Sequence, residues 1–372
     1  PSSPDTEGSA LADWDEECDV LVAGSGAGGV TGAYTAAREG LDVLLVEASE
    51  MFGGTTAYSG GGGMWFPANP FLLRAGTDDT VADALEYYTA VVGDRTPREL
   101  QETYVRGGAP LVEYLEADEN IKFMPMPWPD YFGSAPKART DGMRHMAAKP
   151  LKVAAAPDLA ELIRGPLDSD RLGAPRPGDY YVGGRALIAR FLLAARQYPT
   201  FKSRLNTALV DLVVEDGRVV GAVLETNGAS RTVRTRRGVL LATGGFEHNE
   251  QMRVKYQRAP INAEWTVGAT ANTGEGILAA EKLGAALGLM EDAWWIPTVP
   301  LVGAPWFALS ERNSPGSIIV NLAGKRFMNE SMPYVEACHH MYGGQYGQGS
   351  RPGENVPAWL VFDPATLRFS GK

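Results

Sequence analysis

A glycine-rich turn between an apolar strand and a helix of small residues constrains this chain more than any other feature. Residues 17–23 form a short apolar run, and Gly24-Ser-Gly-Ala-Gly-Gly29 follows it directly. Residues 28–39 then predict a helix, and residues 43–46 predict a second buried strand that ends at Glu47. This order of strand, turn, helix and strand indicates a Rossmann-type βαβ unit, and therefore an α/β fold.

The glycines of this turn have separate physical roles in holding a dinucleotide. Gly24 allows the tight turn, Gly26 lets a pyrophosphate approach the backbone, and Gly29 lets the helix pack closely on the strand. Free N–H groups at the helix N-terminus favour the diphosphate, and Glu47 is expected to accept hydrogen bonds from the adenosine ribose. The alternative is a glycine-rich turn in an unrelated α/β protein. The predicted site comprises Gly24, Ser25, Gly26, Ala27, Gly28, Gly29 and Glu47.

Two further glycine-bearing segments favour FAD over NAD as the dinucleotide. One is the glycine string 53–63, and the other is the strand 238–242 that runs into Thr243-Gly-Gly-Phe246. A flavin ring needs backbone packed against its face and hydrogen-bond donors aimed at its redox-active edge, which such segments supply. A plain flexible loop is the alternative for the glycine string. The residues assigned to the flavin are Gly54, Thr55, Thr56, Ser59, Gly60, Gly61, Gly62, Ala242, Thr243 and Gly244.

Composition and charge exclude several other classes of protein. A formal net charge of −11 argues against a nucleic-acid partner, because phosphate binding needs a basic face. The two cysteines and four histidines show no metal-ligand spacing, so we expect no metal site. No apolar run is long enough to predict a transmembrane helix, and residues 1–16 predict a disordered polar leader without the features of a signal peptide. A cytoplasmic location is the resulting prediction.

The remaining pattern predicts two domains after the leader. Residues 17–290 form the predicted FAD-binding domain, with two helices within 80–118 and an irregular excursion at about 124–182 that is rich in proline and glycine. Residues 208–225 alternate about Asp216-Gly217, which predicts a hairpin. From about residue 290 the chain becomes rich in tryptophan, proline, tyrosine and methionine, so residues 291–372 predict a second, α+β catalytic domain.

The glycine turn, the string 53–62 and the stretch 242–249 together resemble the fumarate reductase/succinate dehydrogenase flavoprotein superfamily. Within that superfamily, three further stretches resemble the bacterial 3-ketosteroid Δ1-dehydrogenases. They are Trp128-Pro-Asp-Tyr-Phe132, residues 305–317 and residues 325–334. The resemblance runs from about residue 17 to 363 and is loosest between 150 and 190.

This resemblance implies removal of two hydrogens across C1–C2 of a 3-ketosteroid, with FAD as the cofactor. The family uses a tyrosine to take the C2 proton and a second tyrosine to assist it, and the motifs match these to Tyr334 and Tyr131. A tyrosine base has an unperturbed pKa of about 10, so its phenolate needs a donor or a proton relay, the role assigned to Tyr131. Without the resemblance, Tyr334 is better interpreted as an ordinary half-buried aromatic residue.

The chain also departs from the family pattern. The family's last segment, which closes the flavin site and supplies donors to the C3 ketone, has no match here, so we expect an incomplete catalytic domain. Three alternatives therefore remain at this stage. They are a fumarate-type reductase of a small dicarboxylate, a dehydrogenase acting at C4–C5 of a 3-ketosteroid, and a non-enzymatic flavoprotein remnant. The electron acceptor is not predicted, and peripheral membrane contact is left open because sterol-like substrates partition into lipid.

Overall fold

The structure, a computed structural model, describes residues 14–176, 178–301, 305–344 and 353–363. Residues 1–13 of the predicted leader lie outside this range, and Glu16 already belongs to the first strand. The helices are α1 (Ala27–Arg38), α2 (Pro70–Arg74), α3 (Val81–Val92), α4 (Arg98–Glu116), α5 (Leu167–Leu172), α6 (Gly183–Ala195), α7 (Glu250–Tyr256), α8 (Glu275–Lys282), α9 (Ser310–Asn313) and α10 (Tyr334–Met341). No helix in these described ranges has the length and hydropathy that crossing a membrane requires.

Fifteen strands form one large and several small sheets within the described part of the chain. The strands are β1 (Glu16–Ala23), β2 (Val43–Val46), β3 (Gly63–Trp65), β4 (Phe123–Met126), β5 (His145–Ala148), β6 (Leu151–Lys152), β7 (Tyr180–Tyr181), β8 (Phe201–Arg204), β9 (Thr207–Glu215), β10 (Arg218–Thr226), β11 (Ala229–Leu241), β12 (Thr298–Val299), β13 (Trp306–Phe307), β14 (Ser317–Val320) and β15 (Trp359–Phe362).

The largest sheet has six strands in the order β8-β2-β1-β11-β10-β9. Strands β8, β2, β1 and β11 run parallel, as the Rossmann-type pattern predicts, whereas β11, β10 and β9 form an antiparallel meander. The predicted hairpin is confirmed: Asp216 and Gly217 both have positive φ, at 49° and 74°, which matches the twist of a two-residue hairpin turn. Strand β11 belongs to both parts, because its second half pairs with β1.

Two buried clusters cover the two faces of this sheet. Alternate residues of β1 contribute to each, with Val22 on one face and Leu21 and Ala23 on the other. Helices α1 and α6 pack on the first face, where Tyr34 of α1 meets Phe191 of α6 edge to face with ring centroids 5.7 Å apart. The sheet therefore has a rigid core directly beneath the glycine turn.

The excursion at 124–182 is more regular than the sequence predicts. It contributes strand β5 to a three-stranded sheet of order β3-β5-β4, and it also contains β6, β7 and α5. Proline and glycine correctly predict the turns of this segment. Its short strands were not predicted, because a fully buried run such as His145–Ala148 has no alternation of apolar and polar residues.

The glycine string 53–63 is more ordered than the plain flexible loop that was its alternative interpretation. Residues Gly54–Tyr58 form a turn of 3₁₀ helix, with Ala57 and Tyr58 buried, and Gly63 begins β3. Gly53 and Gly54 have φ values of 117° and 48°, so glycine here permits an ordered bend. Helix α8 ends at Lys282, and Gly284 with φ 86° lies just beyond its end.

Candidate active site

A cavity of about 540 Å³ lies where the parallel strands end above the glycine turn. Its size is within the range of cofactor sites. Twelve of the residues predicted to hold the cofactor line it: Gly24, Ser25, Gly26, Ala27, Gly28, Glu47, Gly54, Thr55, Thr56, Ala242, Thr243 and Gly244. Other lining residues were not predicted, among them Thr207, Ala208 and Leu209 of β9 and the loop residues Ala269, Ala271, Asn272 and Thr273.

Two glycines of the turn, Gly24 and Gly29, are packed too closely for side chains. A Cβ atom on Gly24, which has φ 98°, would lie 2.2 Å from the carbonyl oxygen of Ala242. A Cβ atom on Gly29 would lie 1.8 Å from the carbonyl oxygen of Gly24. Helix α1 begins after Gly26, and the backbone N–H of its first residue, Ala27, donates to the Thr56 hydroxyl at 3.1 Å. Gly26, Ala27 and Gly28 line the cavity, so this helix N-terminus faces the space in which an anion would bind.

This packing makes a prediction for the matched substitutions Gly29→Ala and Gly28→Ala. We expect Gly29→Ala to lower the free energy of unfolding by about 1–3 kcal/mol, because the added methyl group overlaps a backbone oxygen. Gly28→Ala should leave this free energy unchanged or slightly higher, since a Cβ at Gly28 has no atom within 4 Å. Urea unfolding of both variants without added FAD measures the difference. Equal stability of the two variants would contradict the packing described.

Glu47 is held in place by hydrogen bonds on both carboxylate oxygens. Oε2 accepts from the backbone N–H and the hydroxyl of Ser25, at 3.1 and 2.6 Å. Oε1 accepts from the backbone N–H and the hydroxyl of Ser49, at 3.0 and 2.8 Å. Glu47 lies at the cavity wall and is only 6% exposed, so binding of a ribose by this carboxylate stays a proposal.

The five other predicted cofactor residues do not line the cavity. Gly29 packs beneath the turn, and the rest belong to the segment Ser59, Gly60, Gly61 and Gly62. A Cβ on Gly61 would lie 2.2 Å from the indole ring of Trp128, and one on Gly62 would meet the backbone of Gly183 at 2.5 Å. The glycine string therefore runs from the cavity to Trp128, three residues before Tyr131.

The structure brings Tyr131 and Tyr334 together although 203 positions separate them in the sequence. Their ring centroids lie 5.1 Å apart, with an interplanar angle of 86°. A third aromatic residue joins them, because the indole Nε1 of Trp294 donates to the hydroxyl of Tyr334 at 3.0 Å. Trp294 is 84% exposed, so this donor reaches the Tyr334 hydroxyl from the surface of the protein.

The segment that carries Tyr131 is anchored through its neighbour Asp130. Asp130 is buried, and its Oδ1 accepts from Trp65 Nε1 at 2.8 Å. Its Oδ2 accepts from Arg144 Nη1 at 2.7 Å and from the backbone N–H of Arg139 at 2.9 Å. Asp79 accepts two further hydrogen bonds from Arg144, at 2.8 and 3.0 Å. This buried ion pair fixes the position of Tyr131 relative to the sheet of β3, β4 and β5.

Tyr334 is the first residue of α10, and a buried arginine holds the chain before it. Nη1 of Arg312 donates to the carbonyl oxygens of Glu330 and Met332, the latter at 2.7 Å. On the other side of α10, His339 Nε2 contacts Asp292 Oδ1 at 3.0 Å and so ties down the loop that carries Trp294. Burial opposes protonation of His339, but Asp292 and Glu336 outweigh it and raise its pKa to about 9.

The electrostatic surroundings of Tyr131 suit a hydrogen-bond donor. Although 46% of Tyr131 is exposed, desolvation and then the interaction with Tyr334 raise the pKa of the Tyr131 phenol, and the charge of Arg312 opposes them. Tyr131 therefore keeps its proton and can donate it in a hydrogen bond. Among the described residues, no cluster of histidine, cysteine and carboxylate side chains is suited to a metal ion.

The residues at the cavity fit FAD. The N-terminus of α1 lines the cavity, and the close backbone approaches at Gly24 and Gly29 leave no room for a side chain in the turn that carries it. The chain also matches the family of FAD binding domains over residues 19–364. It is therefore a flavoprotein of the FAD-binding family, and FAD is its cofactor.

Relatives of known name define the family more narrowly. The chain is 51% identical over 390 residues to 3-oxosteroid 1-dehydrogenase of Mycolicibacterium smegmatis, a match that covers 94% of this chain and 68% of that protein. The crystal structure of 3-ketosteroid delta1-dehydrogenase from Sterolibacterium denitrificans in complex with 1,4-androstadiene-3,17-dione superposes with a TM-score of 0.86. It is 32% identical, over 94% of this chain and 69% of that one. The chain belongs to the 3-oxosteroid 1-dehydrogenase family, which confirms the predicted resemblance.

The wider fold is shared with fumarate reductases. The open conformation of a flavocytochrome c3 fumarate reductase has a TM-score of 0.66 and 24% identity, covering 96% of this chain and 55% of that one. The predicted α/β flavoprotein fold is thus confirmed, whereas the predicted domain boundaries and the roles of the site residues stay predictions.

Proposed function

We propose that this chain catalyses the FAD-dependent 1,2-dehydrogenation of a 3-ketosteroid, with Tyr334 as the base. The observation that carries the proposal is a cluster of three aromatic residues, in which the ring of Tyr334 lies edge to face with that of Tyr131 and its hydroxyl accepts from the Trp294 indole. The segment that leads from the FAD cavity to Trp128 links this cluster to the cofactor site. Membership of the 3-oxosteroid 1-dehydrogenase family supports the same reaction.

The surroundings of Tyr334 are suited to removing a proton from carbon. The C3 ketone acidifies the C2 hydrogens, and the Tyr334 oxygen takes the C2 proton when it is in its phenolate form. The Trp294 indole donates to that oxygen at 3.0 Å and so stabilises its negative charge. Tyr131, which keeps its proton, is placed to donate to the same oxygen or to relay the proton to solvent.

FAD, when bound, supplies the acceptor for the hydride that leaves C1. The protein has two further roles. It must hold the steroid ring with C2 at the Tyr334 hydroxyl, and it must exclude water from the developing enolate. The aromatic side chains of Trp128, Tyr131 and Trp294 are 41%, 46% and 84% exposed and present apolar surface for a neutral, flat substrate.

A fumarate-type reductase is a weaker candidate, because the arginines near the tyrosine pair already have hydrogen-bond partners within the protein. Binding a dicarboxylate needs guanidinium groups that are free to clamp carboxylates. The two arginines of the described part of 291–345 are both engaged: Arg312 donates to backbone carbonyls, and Arg326 pairs with Glu330 at 2.6 Å. Dehydrogenation at C4–C5 of a 3-ketosteroid needs similar catalytic groups, so an assay of the product is required to distinguish it from 1,2-dehydrogenation.

The deciding assay uses the purified chain, FAD, an artificial electron acceptor and a 3-ketosteroid. We expect 4-androstene-3,17-dione to give 1,4-androstadiene-3,17-dione, identified by mass spectrometry and retention time. Conversion of a saturated 5α-3-ketosteroid to the 4-ene alone would instead establish the C4–C5 reaction. Reoxidation of the reduced flavin by fumarate, and not by a 1,4-dien-3-one, would establish the reductase. A chain that shows no flavin absorbance and gains none with added FAD would be a non-enzymatic remnant.

A further inference from the structure

Asp292 is the centre of a set of hydrogen bonds in the loop that carries Trp294. Its Oδ1 accepts from the backbone N–H of Ala293 at 2.9 Å and from the indole Nε1 of Trp295 at 2.6 Å. The same oxygen lies 3.0 Å from Nε2 of His339, in α10. One carboxylate oxygen therefore receives three donors, two from its own loop and one from the helix.

The pair formed by Asp292 and His339 carries opposite charges at neutral pH. Burial opposes ionisation of Asp292, but its three hydrogen-bond donors outweigh burial and lower the pKa of this carboxyl. His339, with its pKa raised to about 9, is protonated. The two side chains are only 23% and 7% exposed, so water screens their attraction only in part. A charge-assisted hydrogen bond thus binds the loop to α10.

Trp295 anchors the same loop through its ring. The indole stacks on Tyr342, at the C-terminal end of α10, with ring centroids 6.0 Å apart and an interplanar angle of 30°. On α7, the guanidinium of Arg253 lies 5.9 Å from the centre of the same indole. Trp295 is half-buried, whereas the neighbouring Trp294 is exposed. The two adjacent indoles therefore have different roles: Trp295 holds the loop, and Trp294 extends from it.

The spacing of these residues along the loop matches their spacing along the helix. His339 follows Tyr334, the first residue of α10, by five positions, which is a rise of about 7.5 Å. Trp294 follows Asp292 by two positions, and two residues of chain span at most about 7 Å. With Asp292 bound to His339, Trp294 therefore reaches the level of Tyr334, where its Nε1 donates to the hydroxyl at 3.0 Å.

We propose that Asp292 is a positioning residue for the base, whose hydrogen bonds hold the loop in the one place from which Trp294 can donate to the Tyr334 hydroxyl. The inference rests on the proposed function in that it takes Tyr334 as the base. Asp292 does not line the cofactor cavity, and its carboxylate bonds neither phenol of the tyrosine pair. Its effect on the reaction must therefore pass through Trp294.

The test follows the Trp294 indole by NMR in the FAD-bound chain without steroid. The 8 tryptophans are labelled with ¹⁵N at the indole nitrogen, and the resonance of Trp294 is the one missing in Trp294→Phe. Tyr334→Phe removes the acceptor and so gives the resonance position of an unbonded indole. In Asp292→Ala we expect the Trp294 resonance to move most of the way to that position, and its hydrogen to exchange with water about tenfold faster.

Two further variants are the controls for this shift. Asp292→Asn keeps an oxygen that accepts from the two donors of the loop, so the Trp294 resonance should stay near its wild-type position. Glu291→Ala removes the adjacent carboxylate, which is 46% exposed and pairs with Arg95 at 2.6 Å. Because an exposed pair contributes little, Glu291→Ala should leave the resonance unchanged.

Turnover gives a readout that a merely structural role would not produce. Asp292→Ala should lower kcat for a 3-ketosteroid about tenfold, the effect of losing one hydrogen bond to a charged oxygen. In a Trp294→Phe background the same substitution should cause no further loss of kcat, because Asp292 acts through the indole. Equal losses of kcat in the two backgrounds would show that Asp292 acts by another route and would overturn the inference.

A Trp294 resonance that stays in place in Asp292→Ala, or that moves as far in Glu291→Ala, also overturns it. Should Asp292→Ala fail to fold, Trp295→Phe decides, because it loses the donor to Asp292 but keeps a ring against Tyr342. A shift towards the unbonded position then supports the inference, and no shift overturns it. The NMR result is independent of turnover. If Tyr334→Phe remained fully active, the proposed base would fail while the effect of Asp292 on Trp294 would still be measured.

Discussion

Tyr334→Phe should abolish turnover of a 3-ketosteroid while the protein keeps its FAD. The variant loses the oxygen that takes the C2 proton and that accepts from the Trp294 indole, but nothing that lines the FAD cavity. General-base catalysis typically contributes about 10²–10⁴-fold, so we expect kcat to fall about 10³-fold, equivalent to about 4 kcal/mol of transition-state stabilisation. Steady-state kinetics with an artificial acceptor measure kcat, and the flavin absorbance of the purified variant measures FAD content.

Two other tyrosine variants serve as references for this result. Tyr131→Phe should show a smaller loss of kcat, because Tyr131 assists the base and does not replace it. Tyr114→Phe should show no loss of kcat, since the Tyr114 hydroxyl donates only to Glu39 at the surface, at 3.0 Å. Wild-type turnover in Tyr334→Phe would remove this residue from the role of base, whatever the other two variants show.

The second large effect is expected for Arg144→Met, which removes the centre of a buried ion pair. The side chains of Arg144, Asp79 and Asp130 are at most 1% exposed. Without the guanidinium, two buried carboxylates lose their partner, and breaking a buried pair in this way costs about 3–5 kcal/mol. We expect the free energy of unfolding to fall by this amount in urea unfolding followed by circular dichroism.

Arg139→Met is the matched control for this substitution. Arg139 also pairs with two aspartates, Asp78 and Asp141, both at 2.6 Å, but these carboxylates lie at the surface. Water can solvate them when the arginine is removed, so the loss of stability should be much smaller. Equal losses of unfolding free energy in the two variants would mean that burial of the ion pairs of Arg144 does not increase their contribution to stability. Any folded Arg144→Met protein should also have reduced kcat, since Asp130 adjoins Tyr131.

The local features of the fold were predictable from the sequence because they depend on neighbouring residues. The glycine turn from Gly24 to Gly29 needs a specific backbone conformation, and the turn at Asp216-Gly217 needs two residues with positive φ. A glycine-rich turn after an apolar strand and an Asp-Gly pair between alternating residues each indicate one specific local structure. The short strands within 124–182 escaped prediction, because two to four buried residues between prolines and glycines carry no periodicity.

The chemistry of the candidate site was predictable only in part. Tyr131 and Tyr334 were named through the resemblance to a family, and nothing in their local sequence indicates that their rings meet. The ion pair of Arg144 with Asp79 spans 65 positions, and the indole of Trp294 reaches a hydroxyl 40 positions away. Such pairings depend on how distant segments pack, which a pattern of residue types does not encode.

Tyr131 and Tyr334 are held by separate supports, one by the Arg144 network and the other by the chain leading into α10. A slight displacement of either support would separate the two hydroxyls and leave the flavin bound as before. Preparations with a full complement of yellow cofactor can therefore differ widely in specific activity. For this protein, cofactor occupancy and catalytic competence should be measured as independent quantities.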